Sequence, residues 1–141
     1  AISCPFLIGE KSYSAIITVK EIIRGASAWE KILAANRFND PPSEGKEYIL
    51  VKIHFEYVSG PTAETSFEIS DWDFDAVSKD GLVYDLARGL RALSGEETEL
   101  YPGASHEGWI TFQVSKLDEK PVVAFARTET RGYWFKIYET S

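Results

Sequence analysis

Between positions 64 and 85 lie seven carboxylates (Glu64, Glu68, Asp71, Asp73, Asp75, Asp80 and Asp85) against one base, Lys79. Six units of the chain's net charge of −7 therefore sit in this one stretch. Within it, Asp71-x-Asp73-x-Asp75 has the spacing that opens a calcium loop, where hard carboxylate oxygens suit Ca²⁺. The pattern then lapses. Ala76 stands where such a loop needs glycine for its turn, and Leu82 where it needs a bidentate glutamate. Trp72 and Phe74, between the aspartates, fit a strand with one side on a core. The stretch is read as a solvated carboxylate row that discourages edge-to-edge pairing. No metal is expected, and Asp71, Asp73 and Asp75 are the residues a cation would use.

Other chemistries find less support. His54 and His106 are the two histidines, too few for a His-rich metal site, and both are expected at the surface. There is no G-x-S-x-G elbow, C-x-x-C pair, H-E-x-x-H segment or Gly-rich phosphate loop. A carboxylate pair for glycoside hydrolysis is defined by spacing in three dimensions, which sequence leaves open. The chain is therefore read as non-enzymatic, with no cofactor. Ala1-Ile2-Ser3-Cys4 loosely resembles the end of a bacterial lipoprotein signal. Strand-like sequence follows at once, however, so Cys4 is read as a small apolar residue opening the first strand. As the single cysteine it can form no intrachain disulfide. The chain contains no methionine, so Ala1 is not expected to be a translation start.

Aromatic residues offer a different use, binding. Trp109 alternates against Ile110 and Phe112, and Trp134 against Tyr133 and Phe135, which puts both tryptophans on the side away from a core. On an exposed sheet face they would stack on sugar rings or on a partner. A helix covering one of them, over a second small core, is the favoured arrangement. With Arg88 and Arg91, which sit among leucines at 86–93, they form the expected interaction surface.

These side chains need elements to hold them. Residues 19–24 are rich in β-branched side chains and end at Gly25. Ser27-Ala28-Trp29-Glu30 has capping-box spacing, predicting a helix over about 27–36 with Trp29, Ile32 and Leu33 on its buried stripe. Strands are predicted over 13–23 and over 48–58, the second with Ile49, Val51, Ile53, Phe55 and Tyr57 on one side. A third, over 67–77, changes phase and should carry a bulge near 70–71. Lys79-Asp80-Gly81 and Tyr101-Pro102-Gly103 read as turns, and strands follow at 109–114, 121–126 and 133–138. Such close-set strands predict an all-β antiparallel sandwich with one short inserted helix, as a single domain over 1–141. No apolar run is long enough to span a membrane. The acidic balance argues against nucleic acid as a partner.

At these positions the chain resembles a bacterial family, the telokin-like immunoglobulin-fold domain of unknown function found in secreted proteins and lipoproteins. That family is grouped with the mycobacterial immunoprotective extracellular antigen. The matching elements are Ile22-Ile23-Arg24-Gly25 with Ala28-Trp29, then Asn36 and Asn39-Asp40-Pro41-Pro42. They continue through Glu44-Gly45-Lys46-Glu47-Tyr48-Ile49-Leu50-Val51, Asp80-Gly81, Leu100-Tyr101-Pro102-Gly103, Gly108-Trp109-Ile110-Thr111-Phe112 and Trp134-Phe135. The resemblance implies an immunoglobulin-like sandwich, an extracellular or cell-surface location and no catalytic residues. The function expected is that of an interaction or accessory domain, its partner a protein or cell-envelope component. A module binding calcium or carbohydrate through 64–85 or the exposed tryptophans is the alternative. The chain departs from the family pattern at 86–93.

Overall fold

The computed structural model describes residues 2–8, 10–70, 73–84, 98–126 and 132–137. Strands β1 (Ile2–Ile8), β2 (Lys11–Arg24), β3 (Lys46–Ser59) and β7 (Ser105–Ser115) form one antiparallel sheet in the order β1-β2-β3-β7. Opposite it lie the pair β4 (Phe67–Ile69) and β6 (Thr98–Leu100), and the sheet β5 (Phe74–Val77), β8 (Val122–Phe125) and β9 (Tyr133–Lys136). The architecture is an immunoglobulin-like β-sandwich with one helix, α1 (Ala26–Ala35), inserted between β2 and β3.

The alternation along β3 places the core. Ile49, Val51, Ile53, Phe55 and Tyr57 all point between the sheets. There they meet Phe6, Tyr13 and Ile17 from β1 and β2, Phe112 and Val114 from β7, and Phe67, Phe74, Val123, Phe125 and Ile137 from the opposite side. Phe67 lies within ring contact of Phe6, Tyr13, Phe55 and Tyr57, so one aromatic cluster ties the two layers together. Cys4 is in this core and fully buried, as its apolar reading anticipated.

A second, smaller core lies on the outer side of the large sheet. Ala28 and Ile32 of α1 pack on Tyr48 and Leu50 of β3, with Ile23, Trp29 and Trp109 at the margin. The four consecutive buried residues Tyr48, Ile49, Leu50 and Val51 mark where the sheet is covered on both sides. A bulge makes this possible. Val19 pairs with Ile53 and Glu21 with Lys52, so Lys20 is an extra residue in β2. In a regular pleat Ile23 would share a side with Val19 and face the main core. With the bulge it pairs with Leu50 and joins the helix side.

Three expectations are corrected. The residues predicted as one bulged strand over 67–77 are two strands, β4 paired with β6 and β5 paired with β8. The phase change is a switch of sheet. The Asp73 N–H donates to the Ser70 carbonyl at 3.1 Å, and the Asp73 carboxylate accepts the Ser70 N–H at 2.8 Å, closing a turn between them. Ser27 does not cap α1, which has no side-chain cap. Gly25, at φ 77°, turns the chain directly out of β2; its N–H bonds Tyr48 O and its carbonyl accepts from Trp29 N, both at 3.0 Å. The buried face of α1 is Ala28 and Ile32, four residues apart, while Leu33 is exposed. The turns at Gly81 and Gly103 form as predicted, both glycines at positive φ.

Candidate functional site: the outer sheet face beside the helix

Past the end of the second core, the outer side of β3 and β7 is polar and partly open. Register aligns Lys52 with Trp109 and His54 with Glu107. The Glu107 carboxylate lies 3.5 Å from Lys52 Nζ and 3.4 Å from His54 Nδ1, so one acid serves two bases on the neighbouring strand. Lys31 reaches down from α1 to place its ammonium 4.3 Å from the centre of the Trp109 ring, and Lys52 Nζ is 5.7 Å from it. Two cations thus lie over the Trp109 ring, an arrangement favoured by the negative face of the indole. One step along β7 on the same side, Thr111 is buried, and its hydroxyl has no hydrogen-bond partner among the described residues.

The helix that supplies Lys31 is firmly anchored. Ile32 O accepts from Asn36 N at 3.2 Å and from Asn39 Nδ2 at 3.1 Å, so a helix-end carbonyl is satisfied as the chain turns back. Tyr48 Oη then donates to Asp40 O at 2.9 Å, and Ser43 N to Gln113 Oε1 at 2.8 Å. At the other end Arg24 bonds Glu47 at 3.2 Å and Ser115 O at 3.0 Å. The cluster Lys31, Lys52, His54, Glu107 and Trp109 is a half-exposed surface of mixed charge around one aromatic ring. Such a surface suits recognition of a polar or charged partner face.

The other predicted residues are placed elsewhere. Trp109 is the tryptophan at the helix margin, over a second core, as the favoured arrangement had it. Trp134, 46% exposed, belongs to β9 in the opposite sheet. The two tryptophans therefore do not form one patch. Arg88, Arg91 and Asp71 lie outside the described residues. Asp75 is half-buried on β5, and no cluster of three metal-ligating side chains occurs among the described residues. His54 and His106 both lie at partly exposed positions.

Sequence reasoning missed the buried carboxylate Asp118. Its Oδ2 accepts Tyr84 Oη at 2.6 Å, and its Oδ1 accepts Lys120 N at 3.1 Å and Lys79 N at 3.3 Å. Burial, together with the bond to Asp118, pushes the Tyr84 phenol up to about 12. This is a clamp between two loops, and no local pattern marks it because its partners lie 34 and 39 residues away. Lys31, Lys52 and Glu107 were missed for the same reason: only the β3–β7 register and the seat of α1 bring them to Trp109.

No family model and no curated protein matches the chain. Its fold is similar to that of solved bacterial structures. A Bacillus subtilis "putative lipoprotein", ycdA, is 13% identical with a TM-score of 0.65, over 88% of this chain and 36% of that one. The chain thus spans about a third of that protein's length. The secreted protein MPT63 of Mycobacterium tuberculosis is 12% identical with a TM-score of 0.55, over 88% of this chain and 83% of that one. A conserved hypothetical protein of Bacillus anthracis is 16% identical with a TM-score of 0.53, over 97% and 94% of the two chains. None of the three is described as an enzyme, and among the described residues no helix is long and apolar enough to cross a membrane. At these identities the likeness is one of fold, and it is the immunoglobulin-like sandwich that this chain shares with them.

Proposed function

We propose that this chain is a non-enzymatic, extracytoplasmic interaction or accessory domain that acts through the outer sheet face beside α1. The observation carrying this reading is the cluster around Trp109, where Lys31, Lys52 and Glu107 present charge, with the His54 imidazole and an aromatic ring beside them. The partner is a protein or a cell-envelope component. Likeness of fold to a protein named as secreted supports the extracytoplasmic location, as does likeness to one named as a lipoprotein. The reading takes 1–141 as one domain.

Two measurements test it. A phosphatase fused to the intact gene product should be active, reporting export; an inactive fusion with intact protein would overturn the location. The triple variant Lys31→Ala, His54→Ala, Glu107→Ala should lose retention on a cell-envelope fraction while keeping its melting temperature. Unchanged retention would move the site elsewhere. A second reading rests on Trp134, half-exposed on the opposite sheet. It makes the chain a carbohydrate-binding module, and quenching of tryptophan fluorescence by cell-wall glycan that Trp134→Ala abolishes would favour it.

A further inference from the structure

A small cavity of about 250 Å³ opens where the start of α1 meets the beginning of β3 and the end of β7. Trp29 and Pro42 give it an apolar wall, and Lys46, Glu47 and Lys116 a polar one. Strand pairing holds these parts together. Lys46 pairs with Ser115 in the β3–β7 register, Lys116 N donates to Gly45 O at 3.1 Å, and Gly25 N donates to Tyr48 O at 3.0 Å. Trp29 stacks on Tyr48 with ring centres 6.0 Å apart, so a buried neighbour sets the place of the indole beside the cavity. None of these residues belongs to the Trp109 cluster.

The charge here runs against that of the chain. Glu47 is engaged through Oε2 with Arg24 Nε at 3.2 Å, and Gly25, lacking a Cβ, lets that oxygen lie against the backbone. Glu47 Oε1 has no hydrogen-bond partner among the described residues. Lys46 and Lys116 are both exposed, and neither makes an ion pair among the described residues. Glu44, exposed in the turn before Lys46, does not line the cavity. With Arg24 cancelling Glu47, the lining keeps the two positive charges of Lys46 and Lys116, in a chain of net charge −7.

We infer that this cavity binds an anionic sugar, a pyranose ring bearing a carboxylate. Sites for drug-sized molecules start at about 300 Å³, so this one takes a single ring. An aromatic wall packs against the C–H face of such a ring, while a few placed polar groups set its orientation. The Lys46 and Lys116 ammoniums take the carboxylate through charge-assisted hydrogen bonds, and Glu47 Oε1 accepts a ring hydroxyl. A neutral sugar would leave both cations unanswered. A bare anion would leave the wall of Trp29 and Pro42 uncovered. The site is separate from the Trp109 surface and from Trp134, so it stands whether or not either of those binds a partner.

Titration of the 141-residue chain with glucuronic acid, followed by two-dimensional amide NMR, tests it. The expected result is saturable shifts of the Lys46, Glu47 and Lys116 amides and of the Trp29 indole N–H. The dissociation constant should be on the order of 1 mM and should rise with added salt, because the lysines are exposed. Glucose should bind about tenfold more weakly, and inorganic phosphate should leave the Trp29 signal in place. Lys46→Ala and Lys116→Ala should each weaken glucuronate binding about fivefold. Matching melting temperatures check that the variants fold. Absence of a saturable shift up to about 100 mM glucuronic acid overturns the inference. So does glucose binding as tightly as glucuronate, phosphate moving the same signals with equal affinity, or binding indifferent to both lysine substitutions.

Discussion

Individual side chains show what each buried polar group is for. The Cys4 thiol is enclosed in the core, and burial pushes its pKa from 9.0 to about 11. Native protein should therefore react with a thiol-specific disulfide reagent only at the rate of unfolding; prompt reaction in buffer would show an accessible sulfur. Asp118 presents a sharper case, since deleting its carboxylate strands one phenol and two backbone N–H groups. Asp118→Ala should cost about 1–3 kcal/mol in a urea titration. Its partner sets an alkaline limit. The folded Tyr84 pKa is raised from 10.0 to about 12, so the stability linked to it is complete below pH 10 and is lost as pH climbs through 12. Cys4 contributes with the same sign between 9.0 and about 11. Urea midpoints should fall across this range, and Tyr84→Phe should fall less steeply above pH 10; equal slopes would show that Tyr84 titrates as it does in the unfolded chain.

At the scale of elements, α1 is governed by the residue before it. Gly25 combines φ 77° with ψ −136°, and a Cβ there would lie 3.1 Å from Glu47 Oε2. Gly25→Ala should cost about 1–3 kcal/mol through backbone strain. Ser27→Ala should be close to neutral, within about 0.5 kcal/mol, because Ser27 makes no cap. Ile32→Ala, in the second core, should cost about 2–5 kcal/mol, and Leu33→Ala almost nothing. Thermal melts of the four variants would separate this arrangement from a Ser27-capped helix, for which the first two costs would reverse. The existence of the helix was legible from its flanks: a strand ending at glycine, then apolar residues at helical spacing. Its start and its buried face were not. Capping-box spacing is a local pattern, whereas which side of α1 is buried depends on Tyr48 and Leu50, brought beneath it from β3.

Across the whole molecule, the layers were readable because period-two alternation is a local property that burial enforces. The pairing of 48–58 with 109–114 was not readable, and it is that register that assembles Lys52, His54, Glu107 and Trp109 into a surface. The switch of β4 and β5 between sheets appeared in the sequence only as a change of phase, which a bulge explains equally well. That switch bears on calcium. The Asp73 carboxylate is engaged with the Ser70 N–H, and Asp75 lies on β5, so these two aspartates serve a turn and a strand. Calorimetric titration with millimolar calcium should show no saturable heat; saturable binding abolished by Asp73→Ala would restore the ligand-binding alternative. The proposal that 1–141 is one domain has a direct check: the chain should unfold in one transition, with far-ultraviolet dichroism and tryptophan fluorescence coinciding. A separate early loss of Trp29 and Trp109 signal would mean that the helix layer melts alone.

Lys20 also has a meaning in heritable terms. The bulge absorbs one residue, so the side chains on either side already stand where an uninterrupted strand would hold them if Lys20 were missing. Loss of that single codon should therefore be tolerated by the fold, with Val19, Ile22 and Ile23 keeping their sides. Loss of a codon inside the uninterrupted pairing of Lys46–Glu56 with β7 would turn every later side chain over. A library of single-codon deletions, scored for soluble expression, should spare position 20 and penalise the middle of β3.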